Sequence, residues 1–192
     1  MNRLTGAASW APILWILGLV LCLPFPLRAG DEFVIKEVRT RLDQGVYVLD
    51  ADIEFGFSPE ALEALDNGVP LTVELRFQVR SADAWIWDDS AADLRLRYAV
   101  RYKPISGRYE VYRLPGDRGR SFVSREAAIA ALGEIRGIQV VSKDRLEPDL
   151  AYLVYLKVEL DIEELPLPLR PMAYLRPAWK LRSSWTEWPL TP

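Results

Sequence analysis

The stretch "LTVELRFQVR", Leu71 to Arg80, alternates apolar and polar residues without a break. A period of two puts Leu71, Val73, Leu75, Phe77 and Val79 on one face and Thr72, Glu74, Arg76, Gln78 and Arg80 on the other, the pattern of a strand with one buried face. An α-helix would scatter the same apolar residues around its axis. The segment "DLRLRYAVRY" repeats the pattern, with Leu94, Leu96, Tyr98, Val100 and Tyr102 inward. After the "PISG" turn, "RYEVYRL" completes a hairpin in which Tyr102 opposes Tyr109, Val100 opposes Val111 and Arg101 opposes Glu110. A chain that alternates this way in several places builds antiparallel sheets, each with one face toward a core.

The rest of the chain fits that frame. "FVIKEVRTRLDQGVYVLDADIEF" reads as a hairpin turning at Gln44–Gly45, because Gly supplies the positive φ the turn needs. Its register pairs Leu42 with Tyr47, Thr40 with Leu49, Val38 with Ala51 and Val34 with Phe55 on one face, and Arg39 with Asp50 on the other. "SPEALEALDNG" is a short helix capped by Ser58, with Pro59 in the first helical position and Gly68 beyond its end. "SREAAIAALGEIRG" is a second helix, capped by Ser124, striped by Ile129, Leu132 and Ile135 and ended by Gly137. "DLAYLVYLKVELDI" starts apolar on both faces and reads as a central strand. "LPLPLRP" reads as a stiff polyproline connector. In "WKLRSSWTEWPL", Trp179, Leu181, Ser183 and Trp185 alternate inward as a last strand that closes the core; Trp188, beside Pro189, lies beyond that alternation. The expected fold is a single antiparallel β-sandwich or strongly bent sheet with two short α-helices.

The N-terminus has a different character. "MNRLTGAASWAPILWILGLVLCLPFPLRA" has one charge, Arg3, ahead of an apolar run, and then Pro24, Pro26 and a small residue. That order describes a secretory signal peptide covering residues 1–29, with residues 30–192 as one β-rich exported domain. The expected location is the periplasm. The alternative is an anchor in the inner membrane formed by residues 7–27, since no charge lies between Arg3 and Arg28. A lipid attached at Cys22 fits less well, because Leu21 stands where a small residue normally precedes the modified Cys.

Composition excludes much chemistry. The chain has no His, and its single Cys is Cys22 in the N-terminal segment. The domain after it therefore has no imidazole base, no thiol nucleophile, no disulfide and no His/Cys zinc site. There is no G-x-S-x-G, no S-x-x-K and no glycine-rich phosphate loop. With 24 basic against 27 acidic residues, nucleic acid is not an expected partner. No cofactor, metal ligand set or catalytic residue is assigned. Three groups stand out as interaction candidates. Arg76, Arg80, Arg95, Arg97 and Arg101 share the outward faces of two neighbouring strands and could meet an acidic partner or anionic head groups. "WIWDDSAAD" holds Trp85 and Trp87 beside Asp88, Asp89 and Asp93, a setting for a glycan or lipid, or more remotely for a carboxylate-dependent hydrolase. Trp188 is the third. "DADIE" puts Asp50, Asp52 and Glu54 on one face, where Arg39 and Arg41 can pair with them without any calcium.

The order "WIWDD", "RLRYAVRYKPISGRYEV", "SREAAIAAL", "YLVYLKVELDIEELPLPLRP", "WKLRSSWTEW" resembles the bacterial domain-of-unknown-function family 4390 over nearly all of the exported part. The resemblance implies a small exported proteobacterial protein, in a family whose genes often lie near those of a nitrogen-type sensor kinase and its regulator. No catalytic residues are established for that family. Where its members often carry a basic "RPRWYW"-like run, this chain has "RSADAWIW". The expected function is a non-enzymatic envelope protein that binds a partner such as a membrane sensor kinase through an exposed strand edge or the arginine face. Membrane contact is expected only through an uncleaved N-terminal segment. The alternative is a glycan- or lipid-binding module built on Trp85 and Trp87.

Overall fold

The hairpin that opens the described chain shows how far the alternation carries. The computed structural model describes residues 33–83, 90–116 and 118–191. Strands β1 (Phe33–Asp43) and β2 (Val46–Phe55) turn at Gln44 and Gly45, both with positive φ. Leu42 pairs with Tyr47, Thr40 with Leu49, Val38 with Ala51 and Arg39 with Asp50, as the sequence implies. Beyond Glu37 the register slips: Lys36 is an extra residue, so Phe33 rather than Val34 opposes Phe55. One extra residue exchanges the two faces of a strand. Phe33 is therefore buried while Val34 is exposed. Phe33, Phe55 and Phe57 form a ring cluster, with Phe33 edge-on to Phe55 at 4.8 Å and to Phe57 at 5.3 Å.

Helix α1 (Pro59–Asp66) begins with Ser58 Oγ accepting from the Ala61 N–H, and Pro59 sits where no N–H is needed. Strands β3 (Leu71–Ser81), β4 (Ala92–Lys103) and β5 (Arg108–Leu114) form a meander, and short β6 (Gly119–Phe122) adds to it. Leu71, Val73, Leu75, Phe77 and Val79 are all buried. Tyr102 opposes Tyr109, Val100 opposes Val111 and Arg101 opposes Glu110.

Helix α2 (Arg125–Leu132) is capped by Ser124, whose Oγ accepts from Ala127 N–H. It stops at Leu132, not at Gly137, and Ile135 belongs to strand β7 (Glu134–Ser142), which pairs with β2. The break falls at Gly133, which the fold presses against β2. A β-carbon there would lie 1.9 Å from the Ile53 carbonyl oxygen. Strand β8 (Tyr152–Leu160) lies between β3 and β9 (Thr186–Pro189), so it is paired on both sides.

A third helix, α3 (Arg170–Leu175), corrects the expectation of two. The "LPLPLRP" segment is not one polyproline rod. A 3₁₀ turn at Ile162–Glu164 leads into it, and α3 starts at its end, because Pro171 in a first helical turn costs no hydrogen bond. The tryptophan-rich end also departs from a simple strand. Trp179 closes a 3₁₀ turn (Pro177–Trp179) and is buried; Leu181 and Ser183 follow inward along β8. Arg182 bridges Glu159, whereas Thr186 opposes Leu156, so one extra residue lies between them. That bulge turns Trp185 outward to 45% exposure, against the expectation of core closure, and brings Trp188 in to oppose Val154.

The result is two antiparallel sheets facing one another, β1-β2-β7 and β6-β5-β4-β3-β8-β9, over one apolar core that draws on both. The outer face of the smaller sheet is held by ion pairs: Arg41 to Asp50 at 2.6 Å, Arg39 to Asp52 at 2.8 Å, and Arg136 to Asp52. Burial pushes the Asp50 carboxyl up, but the Gly137 N–H at 2.7 Å, Arg41 and Arg136 outweigh it and hold Asp50 below its ordinary value. A carboxyl held low in the folded chain adds stability above its unfolded pKa and loses it as pH falls through the folded value. Asp50→Asn is expected to cost stability at pH 7 and to flatten the acid fall that sets in below about pH 4, the ordinary range of an aspartate. Urea unfolding across that range checks it; a variant that keeps the wild-type acid dependence contradicts it.

Candidate functional site

The five arginines do meet on one sheet face. Arg76 opposes Arg95, and Glu74 opposes Arg97, across β3 and β4. Acids from distant parts of the chain lie among them. Arg76 bonds Glu74 at 2.5 Å and Glu159 at 3.2 Å. Arg97 reaches Glu164 and, at 3.9 Å, Asp161. Arg101 and Lys103 share Glu110, at 3.2 and 2.6 Å, and Lys157 bonds Glu159 at 2.6 Å. Lys103 draws the Glu110 carboxyl below its ordinary value against the opposing effect of burial. Arg80 faces this same side, near Tyr155. Among the described residues Arg95 alone of the five has no partner. The face is a mixed charge ladder rather than a positive field, and such a ladder steers anions weakly.

The tryptophan candidates divide. Trp85 and Trp87, with Asp88 and Asp89, lie outside the described residues. Asp93 accepts a hydrogen bond from Gln78 at 3.0 Å, the role of an ordinary surface acid. Trp188 packs half-buried against the core.

A groove that the sequence does not announce is better formed. It has a volume of about 520 Å³ and lies where β2 parts from β7. The β2–β7 ladder ends at Asp52 opposite Glu134, with one more bond from Ile53 N–H to the Gly133 carbonyl at 3.0 Å. Past that point Glu54 and Phe55 border open space in place of a strand. Ile53, Phe55, Leu62, Ile129 and Ala130 line the groove with apolar surface, and Glu54, Arg125 and Glu126 mark its rim. The two helices that wall it are tied together. Arg125, at the start of α2, bonds Asp66, at the end of α1, at 2.5 Å, and Tyr109 on β5 donates to the other Asp66 oxygen at 2.8 Å. Burial first, and then the bond to Asp66, push the Tyr109 hydroxyl up to about 12, so it stays a donor at any physiological pH. An apolar floor within a charged rim, on rigid walls, suits the capture of an apolar side chain rather than bond-making chemistry. Leu62 and Ile129 are each half of an ordinary amphipathic helix by sequence. Both pack against the core, and the parting of β2 from β7 leaves the rest of each side chain facing the groove.

The described residues hold no cluster of three or more carboxylates, His or Cys able to bind a metal, and no helix long and apolar enough to cross a membrane. No curated protein and no solved structure matches this chain. The model of one family, described as "Domain of unknown function (DUF4390)", matches residues 30–189. With that match running through both sheets and the three helices of the described residues, the chain belongs to the DUF4390 family.

Proposed function

We propose that the chain is an exported envelope protein without catalytic activity, which acts by binding an apolar segment of another envelope protein, such as a membrane sensor, in the groove between α1 and α2. The groove carries this reading: it is apolar at its floor and charged at its rim, and the Asp66–Arg125 ion pair joins the two helices that wall it. Two features of the sequence support it. The N-terminal 29 residues have the make-up of an export signal or anchor, which supports a location in the periplasm or against the inner membrane. The absence of His throughout, and of Cys after Cys22, removes the commonest acid–base and nucleophilic groups. The arginine face, whose cations are largely paired, ranks behind the groove as a docking surface.

The test is cross-linking in cells followed by mass spectrometry of what is joined to the chain. Leu62→Glu with Ile129→Glu is expected to lower recovery of the partner by about tenfold or more, as the loss of an interface anchor does. Arg95→Glu with Arg97→Glu is expected to leave recovery unchanged. Both residues in the groove pair are only half-buried, and a circular dichroism spectrum like that of the wild type shows that the variant folds. Equal recovery from a folded groove variant contradicts the reading.

A further inference from the structure

A second surface, separate from the groove, has its own chemistry. Four large apolar side chains stand in solvent in one short segment: Leu167 is 73% exposed, Met172 47%, Tyr174 49% and Leu175 81%. The other exposed large apolar residues, such as Ile105 and Val123, are scattered. From Leu165 to Arg182 the chain has four basic residues, Arg170, Arg176, Lys180 and Arg182, and no acid. Arg170 is engaged, donating to the Leu165 carbonyl at 2.7 Å and facing Glu163 at 3.8 Å. Arg176 and Lys180 are exposed and make no ion pair among the described residues. Pro166, Pro168, Pro171 and Pro177 stiffen the segment, so its apolar tips are presented at little cost in chain entropy.

The position of this ridge narrows what it meets. Thr40, late in β1, hydrogen-bonds Thr191 at one end of the sandwich. Phe33, where the chain enters β1, lies at the other end, beside Phe57 and so next to the start of α1. Helix α1 packs on the Pro177–Trp179 turn, and α3 packs on the same turn. The ridge and the entry point of the N-terminal stretch are therefore at one end of the molecule. That stretch carries no charge between Arg3 and Arg28.

We propose that the Leu167–Leu175 ridge docks on a bilayer surface rich in anionic lipid. Leu167, Met172 and Leu175 would enter the boundary between head groups and acyl chains, Tyr174 would sit at head-group level, and Arg176 and Lys180 would meet the lipid phosphates. Clustered, protruding apolar tips flanked by unpaired cations fit a lipid surface better than the shaped, charge-balanced pocket of a protein partner. Docking there sets the groove at a defined height above the membrane whether or not residues 1–29 are retained.

The test uses the full chain, with Cys22→Ser, reconstituted in phosphatidylcholine vesicles with and without phosphatidylglycerol. Single cysteines at Leu167→Cys, Leu175→Cys and, as reference at the opposite end of the sandwich, Asp43→Cys are labelled with a membrane-impermeant maleimide. Labelling at positions 167 and 175, relative to 43, is expected to slow several-fold in the anionic vesicles, and Arg176→Glu with Lys180→Glu is expected to restore it. Equal labelling at all three positions overturns the proposal. Equal protection in neutral vesicles overturns the assignment to anionic lipid. Protection that grows with protein density instead of anionic lipid gives the ridge to a second copy of the chain, and overturns it too.

Discussion

Replacing Trp179 with alanine is expected to lower the free energy of unfolding by about 3–5 kcal/mol, the cost of emptying a buried large aromatic site. Trp179 is only 6% exposed. It is fixed by the 3₁₀ turn that its own N–H closes onto the Arg176 carbonyl at 3.2 Å. The indole belongs to the core, in the turn that packs on both α1 and α3. From there the chain runs onto β8, where Ser183 N–H bonds the Val158 carbonyl at 2.8 Å and Ser183 Oγ accepts from the Val158 N–H at 3.0 Å. Loosening the turn weakens those bonds as well. Trp185 supplies the control: with its ring turned out by the bulge, Trp185→Ala should stay within about 0.5 kcal/mol of the wild type. Urea unfolding of the two variants side by side decides the matter. Equal losses from both would mean that the bulge does not divide the tryptophans as described.

Gly133→Ala is expected to be as damaging, by about 3 kcal/mol or more. The backbone of Gly133 is ordinary, with φ −78°, and at such a site alanine would normally gain a few tenths to about 1 kcal/mol by restricting the unfolded chain. Contact reverses the sign. The added β-carbon would meet the Ile53 oxygen at 1.9 Å and the Ile53 carbon at 3.0 Å. Both are backbone atoms in the middle of the smaller sheet and cannot swing aside. Relief requires α2 to lift from β2, which would break the Ile53–Gly133 hydrogen bond and reshape the groove. A variant as stable as the wild type in thermal and urea unfolding would contradict the packing of α2 on β2.

The sequence makes some of this legible and hides the rest for a physical reason. Alternation identifies β3, β4 and β5 and their pairing, because each is regular along its length and each has a fully buried face. The β1–β2 register is readable from Leu42 to Val38 and fails at Lys36, where a single inserted residue has no signature except its effect on neighbours. The same kind of insertion before Thr186 reverses Trp185 and Trp188. The arginine face is countable along β3 and β4, and so are its partners Glu74 and Glu110, but Glu159, Asp161 and Glu164 are not, since they come from β8 and the turn after it. The groove was least visible. It is defined by where β2 loses its neighbour, and that depends on Gly133 approaching a strand some eighty residues earlier in the chain.

The central claim is that the groove between α1 and α2 holds a partner. A photoreactive amino acid placed at Ala130, which lines the groove and is exposed, and another at Asp43, exposed at the opposite end of the β1–β2 hairpin from Phe55, test it in living cells. The account predicts one reproducible protein adduct from position 130, lost when Leu62→Glu is added, and none of that adduct from position 43. The same adduct from both positions, or no adduct from position 130, would contradict it.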